Sequence, residues 1–385
     1  MVYLDNNATT PLDPTVFEKM AGFLGEHFGN QSSLYTIGRQ AKEWMNEARE
    51  HVARALKAHK AEIYFTGSGT ESDNHAILGL CDALPDRREF VTSTVEHPAV
   101  QETAVYLEKK GYVVKYVPVD GAGVIDLDAL RDAVTPQTVL VSVMHANNEI
   151  WTIQPLEEVC RIAHDHGSLV HTDAVQTFGK IPLDVEALGV DLLSISAHKV
   201  YGPNGVGALY FRKGTPIRPF IHGGHQERGL RAGTENTAGI IGFGEAARLL
   251  PERIDSDRER LSGLAERLRA GILARIPKVR LNGHPENRVK TTLSFSFLGL
   301  ESEAILLALA TKGIYVSTGS ACSEESDEVS HVLTAIGLRP EFARSTVRMS
   351  LGRFNTDGDV DLVLAELPVI VEKLRKISAF DPDEF

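Results

Sequence analysis

Cysteine is scarce in this sequence: only three occur among 385 residues, at positions 81, 160 and 322. Their number is odd, and none has the spacing of a zinc site or of a paired disulfide framework. The sequence therefore excludes a secreted scaffold held together by disulfides. It favours a reducing, cytoplasmic setting.

Long apolar runs and an excess of positive charge are also missing. No apolar run approaches the roughly 20 residues that a membrane-spanning helix needs, and the N-terminal MVYLDNNATT lacks the basic and apolar regions of a signal peptide. The formal net charge is −12, whereas nucleic-acid binding requires concentrated lysine and arginine. We therefore expect neither a membrane nor a nucleic acid as the main partner.

What the sequence does contain, between about residues 61 and 211, is an alternation of short apolar runs with amphipathic segments. Seven runs have the pattern of buried strands with polar endings: EIYFTGSGTE, REFVTSTVEH, YVVKYVPVD, TVLVSVMHANNE, SLVHTDAVQ, DLLSISAHK and GVGALYFRK. This alternation predicts an α/β fold with a mostly parallel seven-stranded sheet and helices on both faces. Because ligands bind beyond the carboxyl ends of such strands, the polar endings are where chemistry is expected.

The pattern changes after about residue 250. A long charged helix over 256–276 leads into the strands VRLNG and TTLSFSFLGL, a further helix, a Gly/Ser loop, the strand STVRMSLGRF and a final helix. We predict a large ligand-binding domain of residues 11–250. Residues 1–10 and 251–385 are expected to form a smaller α+β domain that carries a cysteine loop at about 317–330.

Two charged residues at strand ends each have two interpretations. Lys199, in SISAHKVYGPNGVG, is either a loop lysine that extends into solvent or an uncharged amine that forms a Schiff base with a carbonyl. Asp173, at the end of LVHTDA, is either a strand-end cap or the carboxylate partner of a pyridinium nitrogen.

A glycine/serine turn at the start of a helix is predicted by TGSGTESDN at 66–74, where amides near Gly69 and Thr70 would bind a single phosphate. His97 is either a buried turn histidine or a ring that stacks on an aromatic ligand. Other strand ends supply polar groups: Asn148, Gln176, Ser196 and His198. An amine, a carboxylate, an anion-binding turn and a stacking ring together meet the needs of pyridoxal 5′-phosphate.

The chain resembles the cysteine desulfurases of the NifS/IscS kind, which are fold-type I pyridoxal phosphate enzymes related to class V aminotransferases. The matching stretches run essentially end to end: YLDNNATTP, FTGSGTESDN, EHPAV, NNEI, HTDAVQ, SISAHKVYGPNGVGALY, HGGHQERGLRAGTEN, STGSACS and VRMSLGRF. The lysine motif and the cysteine loop, in this order and spacing, are highly specific.

The resemblance implies that Lys199 carries the cofactor covalently, that Asp173 pairs with its ring nitrogen and that His97 stacks on its ring. It also implies that Gln176 contacts the ring oxygen. Four residues would hold the phosphate: Gly69, Thr70, Ser196 and His198.

The resemblance extends to the substrate and to the assembly. Asn148 would lie beside the ring, and Arg348 would bind the substrate carboxylate through a bidentate fork. Thr234, in RAGTEN, would reach the phosphate of the neighbouring subunit, so that a homodimer completes each site.

Cys322 lies in the polar, small-residue segment STGSACSEES. It is either a free surface cysteine, which soluble proteins tend to avoid, or a nucleophile that acts as its thiolate. The resemblance implies the second: L-cysteine loses its sulfur to Cys322, giving L-alanine and a persulfide. Lys199 would remove the Cα proton, and His97 would take up the substrate thiol proton.

The persulfide would then pass to a sulfur acceptor or to an iron–sulfur scaffold protein. By contrast, Cys81 and Cys160 fall in helical patterns and are expected to be inert packing residues.

Several alternatives stay open. Glu324 and Glu325 disfavour a thiolate at Cys322, so a catalytically weak sulfur-relay scaffold is one of them. Another is a selenocysteine lyase or a class V aminotransferase, although transamination needs no nucleophilic thiol. The stretch GNQSS at 29–33 lacks the proline usual in that motif. No metal site is expected in the histidine-rich stretch 164–173, because its helix end and its strand are separate elements.

Overall fold

The protein is described here by a computed structural model that covers residues 1–318 and 329–378. Its strands are β1 (Val2–Tyr3), β2 (Ile63–Thr66), β3 (Glu89–Ser93), β4 (Val113–Val117), β5 (Thr138–Ser142), β6 (Leu169–Asp173), β7 (Leu192–Ser196), β8 (Gly207–Phe211), β9 (Val279–Leu281), β10 (Thr292–Phe297), β11 (Ile314–Tyr315), β12 (Ser317–Thr318) and β13 (Thr346–Ser350).

The helices follow in chain order. They are α1 (Pro14–Glu26), α2 (Thr36–Leu56), α3 (Gly69–Ala83), α4 (Pro98–Lys109), α5 (Leu127–Ala133), α6 (Leu156–Asp165), α7 (Val185–Leu188), α8 (Thr237–Arg275), α9 (Ser302–Ala310), α10 (His331–Ala335), α11 (Pro340–Ala343) and α12 (Asp357–Ile377). None of the helices in the described ranges combines the length and apolar character that crossing a membrane requires.

The seven predicted strands form one sheet in the order β2-β8-β7-β6-β5-β3-β4. Strand β8 is antiparallel to both of its neighbours, and the other pairs are parallel. The reversal follows from the connection, since only ten residues join β7 to β8 and a parallel crossover needs a dozen or more. The prediction of a mostly parallel seven-stranded sheet is confirmed.

A second sheet forms after residue 275. It has four antiparallel strands in the order β12-β13-β10-β9, and a separate parallel pair joins β1 to β11. The N-terminal strand therefore pairs with the C-terminal part of the chain. Residues 1–10 were predicted to belong with that part.

Helix α8 differs from its prediction. It begins at Thr237, well before residue 256, and continues through Pro251. Proline weakens a helix interior, but here both halves of the helix are buried. Leu249 and Leu250 pack in the core of the large sheet, and Leu261 and Leu264 pack in the core of the second sheet. Because α8 runs through residue 250, the domain division there stays a prediction.

Candidate active site

The carboxyl-terminal ends of the parallel strands place the candidate residues at one edge of the large sheet. Asp173 is the last residue of β6, and Ser196 is the last residue of β7. Ser196 pairs with Gly207, which brings the start of β8 to the same edge. His97 lies beyond β3 and caps the N-terminus of α4.

Lys199 ends a single 3₁₀ turn, Ala197–Lys199, that follows β7. Its Nζ donates to the backbone oxygen of Asn7 at 2.5 Å and to that of Ala8 at 2.7 Å. The side chain is half-buried against the N-terminal segment. This placement favours the reactive-amine interpretation over a lysine that extends into solvent.

His97 and Asp173 lie close enough to Lys199 for the three charges to interact. Burial lowers the pKa of His97, and the charge of Asp173 opposes that shift whereas the charge of Lys199 adds to it. Burial, followed by the neighbouring Asp73, raises the pKa of Asp173 to about 6. A cation beside Asp173 would favour its charged form.

The predicted anion turn begins helix α3. Ser68 caps the helix by accepting from the amide of Glu71 at 3.1 Å, and the helix itself offers no acceptor to the amides of Gly69 and Thr70. A Cβ added at Gly69 would lie 2.8 Å from Cγ2 of Val175 and 3.6 Å from Cβ of Ser196. The turn, the end of β6 and the end of β7 therefore meet around this glycine.

His198 faces the same edge. Its Nδ1 lies 3.2 Å from Oγ1 of Thr9. Burial, together with the charges of Lys199 and Lys180, lowers the pKa of His198 to about 4. The ring is therefore neutral near pH 7. In the tautomer whose Nδ1 accepts from Thr9, Nε2 carries the proton and can donate to a phosphate.

Gln176 is oriented by two residues that the sequence analysis did not single out. Its Nε2 donates to the backbone oxygen of Asn7 at 3.1 Å, and its Oε1 accepts from Nζ of Lys180 at 3.1 Å. Asn7 lies in the quoted stretch YLDNNATTP, and Lys180 follows Gln176 by one helical turn. That four-residue spacing was the available signal for Lys180.

Arg348, on β13, is buried and reaches the site from the second sheet. One terminal nitrogen donates to the backbone oxygen of Asn148 at 3.0 Å, and the other donates to Oδ1 of Asp5 at 3.0 Å. Its Nε has no acceptor among the residues that the structure describes. An unsatisfied buried donor on a guanidinium fits the predicted role of binding a carboxylate.

Cys322 and the neighbouring Glu324 and Glu325 lie outside the described residues. The residues that flank this segment are placed beside the site. Thr318 and Ser317 pair with β13, where Ser317 lies opposite Arg348. On the other side, the hydroxyl of Ser330 donates to Glu149 at 2.6 Å.

Thr234 is an exposed residue of the segment 222–236, which follows β8. The segment is anchored by Glu227, which accepts two hydrogen bonds from Arg49 at 2.6 and 2.7 Å and has a left-handed φ of 43°. Arg231 binds Glu71, next to the anion turn, at 2.8 Å. The contact of Thr234 with a neighbouring subunit stays a prediction.

The two other cysteines and the histidine-rich stretch do not contribute reactive groups. Cys81 and Cys160 are buried free thiols, as predicted, and burial raises the pKa of each to about 12. His171 lies between the hydroxyls of Ser142 and Ser194. Within residues 1–318 and 329–378, no three metal-ligating side chains form a cluster.

These residues fit pyridoxal 5′-phosphate. The donor set has an amine for the aldehyde, a buried carboxylate for the pyridine nitrogen, free helix-start amides for the phosphate and a neutral imidazole beside them. The close packing of Gly69 against Val175 and Ser196 brings the backbone of the turn up to the ends of β6 and β7, where these other groups lie.

The aminotransferase class-V family matches residues 2–363. The chain belongs to this family. A cysteine desulfurase IscS from Methanosarcina thermophila is 49% identical to this class-V protein over 385 residues, which cover 100% of the chain and 95% of the relative. The predicted family resemblance is therefore confirmed.

Solved structures of the family agree with the fold. A NifS-like protein is 42% identical to this chain with a TM-score of 0.92, and the match covers 97% of this chain and 100% of the other. SspA in complex with cysteine is 36% identical with a TM-score of 0.82, covering 92% and 100%. The α/β architecture of this class-V protein is that of its relatives.

Proposed function

We propose that this protein is a pyridoxal phosphate-dependent cysteine desulfurase that converts L-cysteine to L-alanine and a persulfide on Cys322. The observation that carries the proposal is the meeting of Lys199, Asp173 and His97 at one sheet edge. The names of the relatives support the same activity. One neighbour, SspA, is described in complex with cysteine.

The cofactor would be held by residues that the fold already brings together. Lys199 would bind its aldehyde, Asp173 its ring nitrogen, Gln176 its ring oxygen and His97 its ring face. The phosphate would bind at the start of α3 and beside β7: Gly69, Thr70, Ser196 and His198. When bound, the cofactor supplies an electron sink for the substrate Cα.

Residues of the chain itself would carry out the other steps of the reaction. Arg348, with Asn148 beside it, orients L-cysteine through its carboxylate. The Nζ of Lys199 removes the Cα proton. The thiolate of Cys322 attacks the substrate sulfur; an S–S bond forms, the Cβ–S bond breaks, and its electron pair stays on the carbon fragment. That fragment takes up one proton at Cβ and, at Cα, the proton that Lys199 removed, and it leaves as L-alanine.

The proposal is tested by incubating the purified protein with L-cysteine, with and without reductant, and measuring alanine and sulfide. The Cys322→Ala variant should release neither at the parent rate, and Lys199→Ala should lose the visible absorbance of the bound cofactor. Lys213→Ala, a change at an exposed lysine, is the matched control and should behave as the parent. Equal sulfide release by Cys322→Ala and the parent would refute the assignment of the nucleophile.

The products also separate the alternatives. A keto acid together with an aminated acceptor would identify an aminotransferase, and a higher rate with selenocysteine would identify a lyase. Cofactor binding with negligible turnover until an acceptor protein is added would identify a sulfur-relay scaffold.

A homodimer and a cytoplasmic sulfur acceptor or iron–sulfur scaffold complete the proposal. Several large apolar side chains between residues 17 and 37 are more than half exposed: Phe17, Leu24, Phe28, Leu34 and Tyr35. Exposed apolar surface of this kind supports a protein contact. Sedimentation of the purified protein should give twice the mass of the chain, and Leu34→Glu should shift the equilibrium towards monomer.

A further inference from the structure

A second lysine lies in the site. Lys180 belongs to the turn that follows β6, where its amide donates to the backbone oxygen of Thr177 at 3.0 Å. Lys180 lies four residues after Gln176, and the contact between Nζ and Oε1 shows that the two side chains meet. Lys180 and Lys199 line the same small cavity.

The Nζ of Lys180 is surrounded by three acceptors. It lies 3.1 Å from Oε1 of Gln176 and 3.4 Å from Oδ1 of Asn7. The third acceptor is the ring of Trp151, whose centroid lies 4.4 Å from Nζ. An amine donates to such groups whether it is neutral or charged, so these contacts do not depend on the protonation state of Lys180.

These contacts determine which way the amide of Gln176 faces. Because Nζ donates to Oε1, the NH₂ group of Gln176 must point to the other side. One of its N–H bonds meets the backbone oxygen of Asn7 at 3.1 Å. The second N–H of the Gln176 amide is then available as a hydrogen-bond donor, and an anionic ring oxygen of the cofactor requires such a donor.

Asn7 connects the two lysines. Its backbone oxygen accepts from Lys199 as well as from Gln176, whereas its Oδ1 faces Lys180 and the hydroxyl of Thr292. A substitution at Lys180 can therefore affect the amine of Lys199 through Asn7.

The electrostatic surroundings of Lys180 are unusual. Burial and the charges of Lys199 and Arg348 lower the pKa of Lys180 well below its usual range. No carboxylate of the described ranges forms an ion pair with it. The contacts to Gln176, Asn7 and Trp151 are thus the ones that hold the amine in place.

We propose that Lys180 is a positioning residue: it orients the amide of Gln176 so that an N–H points at the ring oxygen of the cofactor. The proposal rests on the proposed function, since it assumes that Gln176 contacts pyridoxal 5′-phosphate. Lys180 itself does not touch the reacting atoms. It acts through Gln176 and, by way of Asn7, on Lys199.

The test is a double-mutant cycle in the full-length protein, with pyridoxal 5′-phosphate as the probe. Lys180→Met removes the donor and keeps the length of the side chain, and Gln176→Met removes its target. The measurements are the dissociation constant of the cofactor and the pH midpoint of its visible band. We expect Lys180→Met to weaken binding by about 5- to 10-fold, as loss of one oriented hydrogen bond would, and to shift the midpoint.

Coupling is the decisive result. In the Gln176→Met background, Lys180→Met should have no further effect on the dissociation constant of the cofactor. Lys180→Arg, which keeps a donor, should restore part of the affinity, and the Tm of the cofactor-free variants should match the parent if folding is intact. Additive effects of the two Met variants, or unchanged affinity in Lys180→Met, would overturn the proposal.

Two further outcomes are distinguishable. Borohydride reduction followed by peptide mass mapping should place the cofactor on Lys199; a label on Lys180 would mean that Lys180 binds the aldehyde, which contradicts a positioning role. If the parent itself neither binds the cofactor nor absorbs in the visible range, the proposed function fails instead.

Discussion

His97 has a capping role in the structure and a proposed role in proton transfer. Its Nδ1 accepts from the amide of Ala99 at 3.1 Å and thereby caps α4. A neutral ring in this arrangement carries its proton on Nε2, and burial lowers the pKa of His97, which keeps the ring neutral near pH 7. As placed, the Nε2–H group is a hydrogen-bond donor, and Nδ1 is occupied by the amide of Ala99. The predicted uptake of the substrate thiol proton therefore requires the ring to release its cap.

The two roles can be separated by substitution. His97→Asn keeps a capping oxygen but removes the imidazole, whereas His97→Ala removes both. Both variants should lose about 100-fold or more in kcat, the usual contribution of a general acid or base. Only His97→Ala should also lose about 1 kcal/mol of stability, measured by denaturant unfolding. A His97→Asn enzyme with parental kcat would show that the ring takes no part in proton transfer.

At the scale of elements, the strands that hold the site were predictable and its connections were not. Each apolar run with a polar ending became a strand of the large sheet. Strands β5, β6 and β7 are buried on both faces, which leaves a continuous apolar pattern, whereas β4 at the edge of the sheet is mostly not buried. The ends of these runs then placed Asp173 and Ser196 together.

The contribution of the N-terminal segment could not be predicted in the same way. The backbone oxygens of Asn7 and Ala8 accept from Lys199, and a backbone contact over 190 positions leaves no periodic signal in the sequence. The part of helix α8 before residue 256 was not predicted, because Pro251 disfavours a helix locally. Burial of the helix on both sides of Pro251 outweighs this local effect.

The anion turn gives a prediction at the scale of one element. Gly69→Ala would place a methyl group 2.8 Å from Cγ2 of Val175, so the start of α3 must shift. We expect a weaker affinity for pyridoxal 5′-phosphate, by about 10-fold or more, on the general cost of 1–3 kcal/mol for overpacking. Fluorescence titration of the cofactor-free protein measures it.

The matched control is Gly263→Ala, in the exposed interior of α8, where an added Cβ meets nothing within 4 Å. That change should leave cofactor affinity unchanged and raise stability by up to about 1 kcal/mol, the difference in helix propensity between the two residues. Unchanged cofactor affinity in Gly69→Ala would remove this turn from the phosphate site.

At the scale of the whole molecule, the sheet edge concentrates buried acids. Burial is the largest cause that raises the pKa of Glu96 to about 8, and the pKa values of Glu149 and Asp73 to about 7. The folded protein therefore binds more protons than the unfolded chain over a range that extends from the ordinary value of 4.5 for glutamate up to about 8. The stabilisation from these groups is complete below that ordinary value and is lost as the pH rises through the folded pKa values.

Buried histidines act in the opposite direction at lower pH. Burial lowers the pKa of His145 and His171 from 6.5 to about 4, so their contribution is present above pH 6.5 and is lost as the pH falls towards 4. Above about pH 7.5, one unit above their ordinary value of 6.5, these histidines are neutral in both states, whereas Glu96, with its pKa raised to about 8, still titrates. Stability should therefore fall as the pH rises through this range.

Glu96 allows a direct test of this dependence of stability on pH. Its carboxyl accepts from the hydroxyl of Ser93 at 2.5 Å and from the amide of Met144 at 3.0 Å, and Glu96→Gln keeps an acceptor while removing the titration. The free energy of unfolding of the parent should decrease above about pH 7.5, by up to about 1.4 kcal/mol per pH unit for each such group. Urea unfolding of Glu96→Gln should show a smaller decrease, whereas the exposed control Glu259→Gln should follow the parent. Parallel curves for all three proteins would mean that Glu96 is already charged in the folded state. A buried carboxylate that is ionised at the start of the range has no proton to release as the pH rises.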